Sequence, residues 1–559
     1  MIEQGESLPG KLLKSSSTAL NGRSRTKRLL AILSSHPDWI AACVTLAGFL
    51  CRAWLAHATF FNPDEAWHFA AANQESLYEA YQASTTLFHP PLLILILYFW
   101  RGLGTSDLVL RLPCVIAGTL FCWFYYKWLK RILGRQVAWV GLLFVTFLPT
   151  LISMSADLRQ YPLLLMFSAA AAYLLEKAFE NSSAGSMVLS VSCMLLAMLS
   201  HYSGFLVALS MGLYAIFRFV REQPSVRIAA AWMVGQVAGL AMAWFFYSTQ
   251  IKQLTARRGT ESLKLVANWY LPEFYYHAGH GNLFSFLLRG TFGIFRFTFG
   301  WAVAGYLAAV LFLASIVLLL RLRRGWHWSS SATANAFLLL SPFAVSWAAA
   351  AAGVYPFGRT RHSIFLAMYG IAGLSFMIAE ITKWKKGLML TLTVTVIVLC
   401  QTLGTQPWRD MLPLADRRKE NMDQAIDLLR RQVSPADIIY VDKATELQIA
   451  HYLCDQRRVD PERSVPGFES FRCGGLRVVS TSPRDDALLM LGFTHKRQEM
   501  AQAYGLKAGS RVWIVQGGWN SGFGENLRQS VPEFSDIEIH NFGHYLEVFG
   551  LEVASTAFQ

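Results

Sequence analysis

The sequence predicts a mainly α-helical, polytopic membrane protein with about eleven transmembrane helices and a C-terminal soluble α/β domain. Three observations predict it. The chain of 559 residues is 54% apolar and only 15% charged, with a mean hydropathy of +0.34, whereas soluble domains carry about 25% charged residues. Apolar runs near the roughly 20 residues needed to cross a hydrocarbon core recur at 38–58, 108–129, 136–153, 159–178, 185–200, 203–220, 227–247, 301–321, 335–353, 362–381 and 387–404. The charge is also partitioned. Residues 1–404 hold 32 Lys and Arg against 15 Asp and Glu, while residues 405–559 hold 18 against 21. The excess of +14 therefore lies in the apolar part. A nucleic-acid partner loses its support, because such a module gathers basic residues on a polar, foldable surface.

Each element then follows in chain order. Residues 1–35 form a polar, basic tail (Lys11, Lys14, Arg23, Arg25, Lys27, Arg28) expected in the cytoplasm. The first span is too long for a signal-peptide core and is expected to be a retained anchor. Alternate connections carry the other basic residues: Lys127, Lys130, Arg131 and Arg135; Lys177; Arg218, Arg221 and Arg227; Arg321, Arg323 and Arg324; Lys383, Lys385 and Lys386. The intervening short turns hold only Arg159, Arg359 and Arg361. This is the positive-inside pattern. With an odd number of spans it places residues 405–559 outside, in the periplasm or extracellular space. The expected organisation is a tail (1–35), a transmembrane domain (36–404) with long outer segments at 59–107 and 248–300, and an outer α/β domain (405–559). In the last, 437–441 and 511–515 read as buried strands and 477–479 and 544–548 as weaker ones. Gly517-Gly518 follows a strand, but no phosphate-binding glycine pattern is present.

The outer face holds the unusual residues. Asn62-Pro63-Asp64-Glu65 reads as a turn followed by a helix start, with His68 one helical turn after Asp64. The ordinary reading of the two acids is helix-start electrostatics. His89-Pro90-Pro91 precedes an apolar stretch, 92–100, too short to span and expected as an interfacial or re-entrant helix. Asp157, Arg159 and Tyr161 share one outer turn, His201 and Tyr202 another, and Arg359, Arg361 and His362 a third. Ion pairing, capping or interfacial solvation would explain any one of these turns. Carboxylates, histidines and arginines gathered at one membrane boundary read together as a functional site. In it a carboxylate takes a proton from an acceptor and arginines hold a phosphate. Trp269, Tyr270, Tyr275, Tyr276, His277 and His280 in 248–300 read as interface anchors or as a mobile cover over the site. Six cysteines lie in or at spans. Cys454 and Cys473 lie in the outer domain, where the compartment permits a disulfide, and we take a bridge as the expectation.

Asp64-Glu65, His89-Pro90-Pro91-Leu92 with Leu110-Arg111-Leu112-Pro113, Ser155-Ala156-Asp157-Leu158-Arg159-Gln160-Tyr161 and Ser200-His201-Tyr202 occur in this order. In this set the sequence resembles the GT-C superfamily of membrane glycosyltransferases, specifically bacterial relatives of the protein O-mannosyltransferase (family 39) and lipid A aminoarabinose transferase group. The resemblance implies transfer of a sugar from a polyprenyl-phosphate-linked donor, with inversion, to an envelope glycan, lipid or protein at the cell (inner) membrane. It implies Asp64 as general base or acceptor-positioning group, Glu65 as its neighbour and Asp157 as the second acid. Arg159, His89, Arg361 and His362 become candidates for the donor phosphate, and Tyr161, His201, Tyr202 and Arg359 for substrate contact. Some relatives use a divalent cation and others do not, and no metal ligand set is assigned. A lipid or solute transporter and a non-catalytic scaffold are the competing classes. Transport would place polar groups near the midplane, often with repeats, and neither is visible in the sequence.

Overall fold

The computed structural model describes residues 37–87, 89–252, 272–277, 279, 281–321, 331–404, 417–454, 465–481, 491–517, 534–543 and 546–554. The basic tail, and Arg257, Arg258, Trp269, Tyr270 and His280 of the second outer segment, lie outside them. The described chain is a polytopic membrane protein. Eight of its described helices are long and apolar enough to span: α1 (Pro37–Ala58), α5 (Asp107–Ile132), α8 (Tyr161–Glu180), α10 (Ser203–Glu222), α11 (Val226–Phe246, running on to Ile251), α13 (Ala302–Arg321), α14 (Ser331–Ala351) and α16 (Lys386–Leu403). The other three expected spans are also helical. Two are the 17-residue helices α9 (Ala184–Ser200) and α15 (Phe365–Ile381). The third is a broken pair, α6 (Arg135–Phe147) and α7 (Pro149–Ala156), bent by 54°.

The break has a local cause. Pro149 begins α7 and cannot continue the backbone ladder of α6. Arg52, fully buried in α1, donates to the carbonyls of Val145 (2.9 Å) and Thr146 (3.1 Å) in the last turn of α6. Its charge answers the negative end of that helix. The bend delivers Asp157 at the end of α7.

Short helices cover one end of the bundle: α2 (Pro63–Ala72), α3 (Leu77–Thr86) and α4 (Leu92–Trp100). The last is the expected non-spanning helix, with Leu93, Ile94 and Leu97 buried. α12 (Leu283–Phe299) packs against the turn before α15: a Cβ on Gly293 would meet the Arg359 backbone nitrogen at 3.0 Å.

The C-terminal domain is a three-layer α/β unit. Strands β1 (Ile438–Val441), β2 (Phe468–Cys473), β3 (Leu476–Thr481), β4 (Arg511–Gly517), β5 (Phe534–Asn541) and β6 (Leu546–Val553) form one sheet ordered β2-β3-β1-β4-β6-β5. β1 runs parallel to β3 and β4, and the outer pairings are antiparallel. Period-two alternation sends Ile439, Val441, Trp513 and Val515 to one face, under α17 (Lys419–Gln432) and α18 (Lys443–Leu453). Ile438, Tyr440, Val512 and Ile514 go to the other, under α19 (Leu491–Tyr504). Cys454 and Cys473 are disulfide-bonded with Cα atoms 4.8 Å apart. Phe60, from the link between α1 and α2, is buried in the first of these two faces. The transmembrane domain thus supplies a side chain to the core of the C-terminal domain.

Candidate active site

The site is built from the start of α2. Asn62 caps the helix in a capping box: its side chain accepts from the Glu65 N–H (3.0 Å), and Glu65 Oε2 accepts from the Asn62 N–H (2.9 Å). The helix-start reading of Glu65 is therefore correct as far as it goes. The same carboxylate is also wholly buried and bonded to more than the cap. Arg111 of α5, equally buried, grips it with two parallel bonds of 2.7 and 2.8 Å. Arg417 reaches it at 2.9 Å, and the Leu158 N–H donates to it at 2.7 Å. Burial pushes the Glu65 carboxyl up, but Arg111 and then Arg417 outweigh this and hold it below its ordinary value. Glu65 is an anchor that locks α2, α5 and the Asp157 turn together.

Asp157 stands in extended backbone after α7, and the Arg159 N–H closes onto its carbonyl at 2.8 Å. Its Oδ1 lies 3.4 and 3.5 Å from the two terminal nitrogens of Arg417, with 16% of the side chain exposed. Burial and the neighbouring Glu65 charge raise the Asp157 carboxyl above its ordinary value, against the pull of Arg417, Arg111 and Arg159.

Asp64 is in the opposite condition. One oxygen, Oδ2, lies 2.7 Å from both Arg159 and Arg361. Burial pushes this carboxyl up as well, but the two guanidinium groups hold it well below the usual carboxylate range. A carboxylate so held is a weak base and a strong organiser of arginines.

Beside this clamp runs a row of imidazoles. His68 stacks on His89 with centroids 5.8 Å apart, His89 lies 5.5 Å from His201, and His201 lies 5.5 Å from His362. Tyr161 packs against His201 at 5.1 Å and His362 at 6.2 Å, with Arg159 over its ring. Nδ1 of His68 bonds the Asp64 carbonyl at 2.6 Å, and Nδ1 of His201 accepts from the Ser203 N–H at 3.0 Å. Desolvation, and then Arg159, lower His68 to about 4; desolvation, and then Arg361, lower His362 to about 3. The row is neutral at ordinary pH. His89 Nδ1, Arg159 Nε and Tyr161 Oη are buried with no partner among the described residues. Such atoms converging at one site need a polar ligand.

The structure thus brings together Asp64, Glu65, Asp157, Arg159, His89, Arg361, His362, Tyr161 and His201. Tyr202 faces elsewhere, its hydroxyl donating to Gln250 at 2.8 Å and its ring against Phe205 and Phe246. Arg359 meets α12 through its backbone. Sequence reading quoted Arg111 without assigning it a role, although an arginine inside an apolar span is itself a functional signal. Gln160 is likewise quoted in a motif without a role, and Arg417 is not singled out. Among the described residues no three His, Cys, Asp or Glu are arranged to hold a metal. Asp64 and Glu65 each carry guanidinium partners.

With this geometry in view, comparisons with known proteins bear on the fold. Residues 88–248 match the family model for dolichyl-phosphate-mannose-protein mannosyltransferase. That segment holds His89, Arg111, Asp157, Arg159, Tyr161 and His201. No curated protein sequence matches the chain. The crystal structure of apo ArnT from Cupriavidus metallidurans is similar over 94% of this chain and 99% of that one, at 12% identity and a TM-score of 0.53. ArnT bound to undecaprenyl phosphate aligns at 12% identity and a TM-score of 0.49, covering 93% and 98%. The archaeal oligosaccharyltransferase AglB from Archaeoglobus fulgidus, in complex with an inhibitory peptide and a dolichol-phosphate, aligns at 10% identity and 0.46, covering 93% and 75%. The apo ArnT match shows a shared fold. The GT-C resemblance expected from the motifs is met by the fold of the chain and by the family model over its matched segment.

Proposed function

We propose that this protein is a membrane glycosyltransferase of GT-C type that moves a sugar from a polyprenyl-phosphate-linked donor to an envelope acceptor on the outer face, with inversion at the anomeric carbon. The observation that carries the reading is the juxtaposition of the Asp64–Arg159–Arg361 clamp with Asp157. The acceptor hydroxyl attacks the anomeric carbon as the bond from that carbon to the phosphate oxygen breaks. Its proton passes to Asp157, whose raised affinity suits a base better than the depressed Asp64 does. The leaving phosphate takes its charge to Arg159 and Arg361, which Asp64 holds in place. Neutral imidazoles and Tyr161 offer hydrogen bonds to the phosphate and sugar. Of the two roles expected for Asp64, positioning is favoured over general base.

Transport is the weaker class, because Asp64 and Asp157 share one arginine network instead of facing opposite ends of a pathway. Deletion of the gene, followed by mass analysis of envelope glycans, lipids and glycoproteins, identifies donor and acceptor through the missing sugar. Membranes of that deletion strain then serve to assay restored variants. Asp157→Asn is expected to lose about 100- to 10,000-fold in rate, and Asp64→Ala to weaken donor use. Full transfer by both variants would sink the assignment.

A further inference from the structure

The C-terminal domain is joined to the site by one residue that serves both. Arg417 stands between the last span and α17, with 8% of its side chain exposed. Its carbonyl accepts from the Phe60 N–H at 3.1 Å, and its guanidinium donates back to the Phe60 carbonyl at 2.9 Å. The Phe60 ring is buried in the C-terminal domain. The same guanidinium touches Glu65 at 2.9 Å and Asp157 at 3.4 and 3.5 Å. A second contact set, centred on Asp107, secures the docking without a bond to Glu65 or Asp157. Asp107 accepts from the Tyr452 hydroxyl and pairs with His451, each at 3.0 Å, while the Phe61 N–H donates to Tyr452 Oη at 2.7 Å and Gln448 donates to the Phe61 carbonyl at 2.6 Å.

We propose that Arg417 is a positioning residue of the transfer reaction, bridging Glu65 and Asp157 so that docking of the C-terminal domain completes the site. This rests on the reading of Asp157 as the proton acceptor. The groups facing Asp157 are Glu65 on α2, Arg111 and Cys114 on α5, Arg159 on its own turn, Arg361 before α15 and Arg417. Arg417 is the one cation among them that comes from beyond the last span. The guanidinium presents its donors in a rigid planar fork, whereas an ammonium is a point charge on a flexible stem that fixes the two carboxylates less firmly.

The test is the pH profile of transfer in deletion-strain membranes carrying the full-length variants. Removing an opposite charge at this distance raises a carboxylate by about one pH unit or more. Arg417→Gln should therefore move the acidic limb up by about one unit, losing about tenfold below the limb and recovering above it. Arg417→Lys should keep most of the limb but not the full rate. Tyr452→Phe, which weakens docking alone, should leave the limb in place. An unmoved limb in Arg417→Gln, or an equal shift in Tyr452→Phe, overturns the proposal. If Arg417→Gln fails to accumulate, Arg417→Lys decides: the wild-type rate and profile overturn the proposal, and a lowered rate supports it. Asp157→Asn separates the two claims. Its full activity sinks the reading of Asp157, whereas an inactive Asp157→Asn beside an unmoved Arg417→Gln limb sinks only the role of Arg417.

Discussion

Replacing Glu65 with Gln keeps the shape and removes the charge. Arg111, with no exposed surface, then loses its fully buried, directly bonded counter-ion. Arg417 loses its nearest carboxylate, and the Leu158 N–H and the Asn62 cap lose a charged acceptor. Breaking a buried pair from one side costs about 3–5 kcal/mol. In a domain this large that corresponds to a fall on the order of 5 °C in Tm. Arg111→Met should cost more, because Arg111 also donates to the carbonyls of Ala56, Thr59 and Phe60 at 2.7–3.0 Å, and all three bonds are lost. The double variant should be less destabilised than the sum of the two. A thiol-reactive dye during heating is a direct assay, since Cys114, Cys122 and Cys400 are buried free thiols. Glu65→Gln melting within about 1 °C of wild type, or full additivity in the double variant, would refute the view of Glu65 as the lock of the site.

Other outcomes are equally open to measurement. Binding of polyprenyl phosphate to the purified protein should not tighten as pH falls from 8 to 6, because His68 at about 4 and His362 at about 3 stay neutral there; a tightening centred near pH 6.5 would contradict this. The same depressed values mean that the unfolded state binds more protons between pH 6.5 and 4, so Tm should fall as pH drops through that window, and His68→Gln should flatten the fall. Gly204→Ala should reduce transfer by displacing the His201 turn, since a Cβ there would lie 2.5 Å from the Ala197 carbonyl oxygen; unchanged activity would count against the imidazole row. Alkylation of denatured protein without reductant should label six cysteines, and after reduction all eight.

The sequence carried most of the fold because hydropathy and composition register burial directly. All eleven expected spans are helical, and the short helix at 92–100 was recognisable by its length. Apolarity does not encode direction, so the window over 136–153 ran straight through the 54° break, although Pro149 marked it. Strands β1 and β4 stood out as continuous apolar runs. β2 did not, because an edge strand mixes polar and apolar residues. Its Gly474-Gly475 turn to β3, with both glycines at positive φ (56° and 90°), was a hairpin signal left unused. The outer-turn residues were legible as a set, but their division of labour was not. Asp64 and Asp157 look alike in sequence, and what separates them is spatial: two guanidinium groups at 2.7 Å on the first, and the neighbouring Glu65 charge on the second. Arg417 was beyond reach, because nothing local distinguishes it from its neighbour Arg418.

The contact between Arg417 and Glu65 spans 352 residues of chain. At the roughly 5–20 residues per second of synthesis, the arginine leaves the ribosome roughly 20–70 s after the glutamate. During that interval the first spans are already inserted, and Glu65 and Arg111 can find each other within one short stretch of nascent chain. The Asp157 turn meanwhile lacks the cation that ties it to the finished protein. A chain cut short by premature termination or protease would keep its membrane anchor and its Asp64 clamp but would carry an unfinished centre. Completion of the site thus doubles as a sign that translation passed the last span.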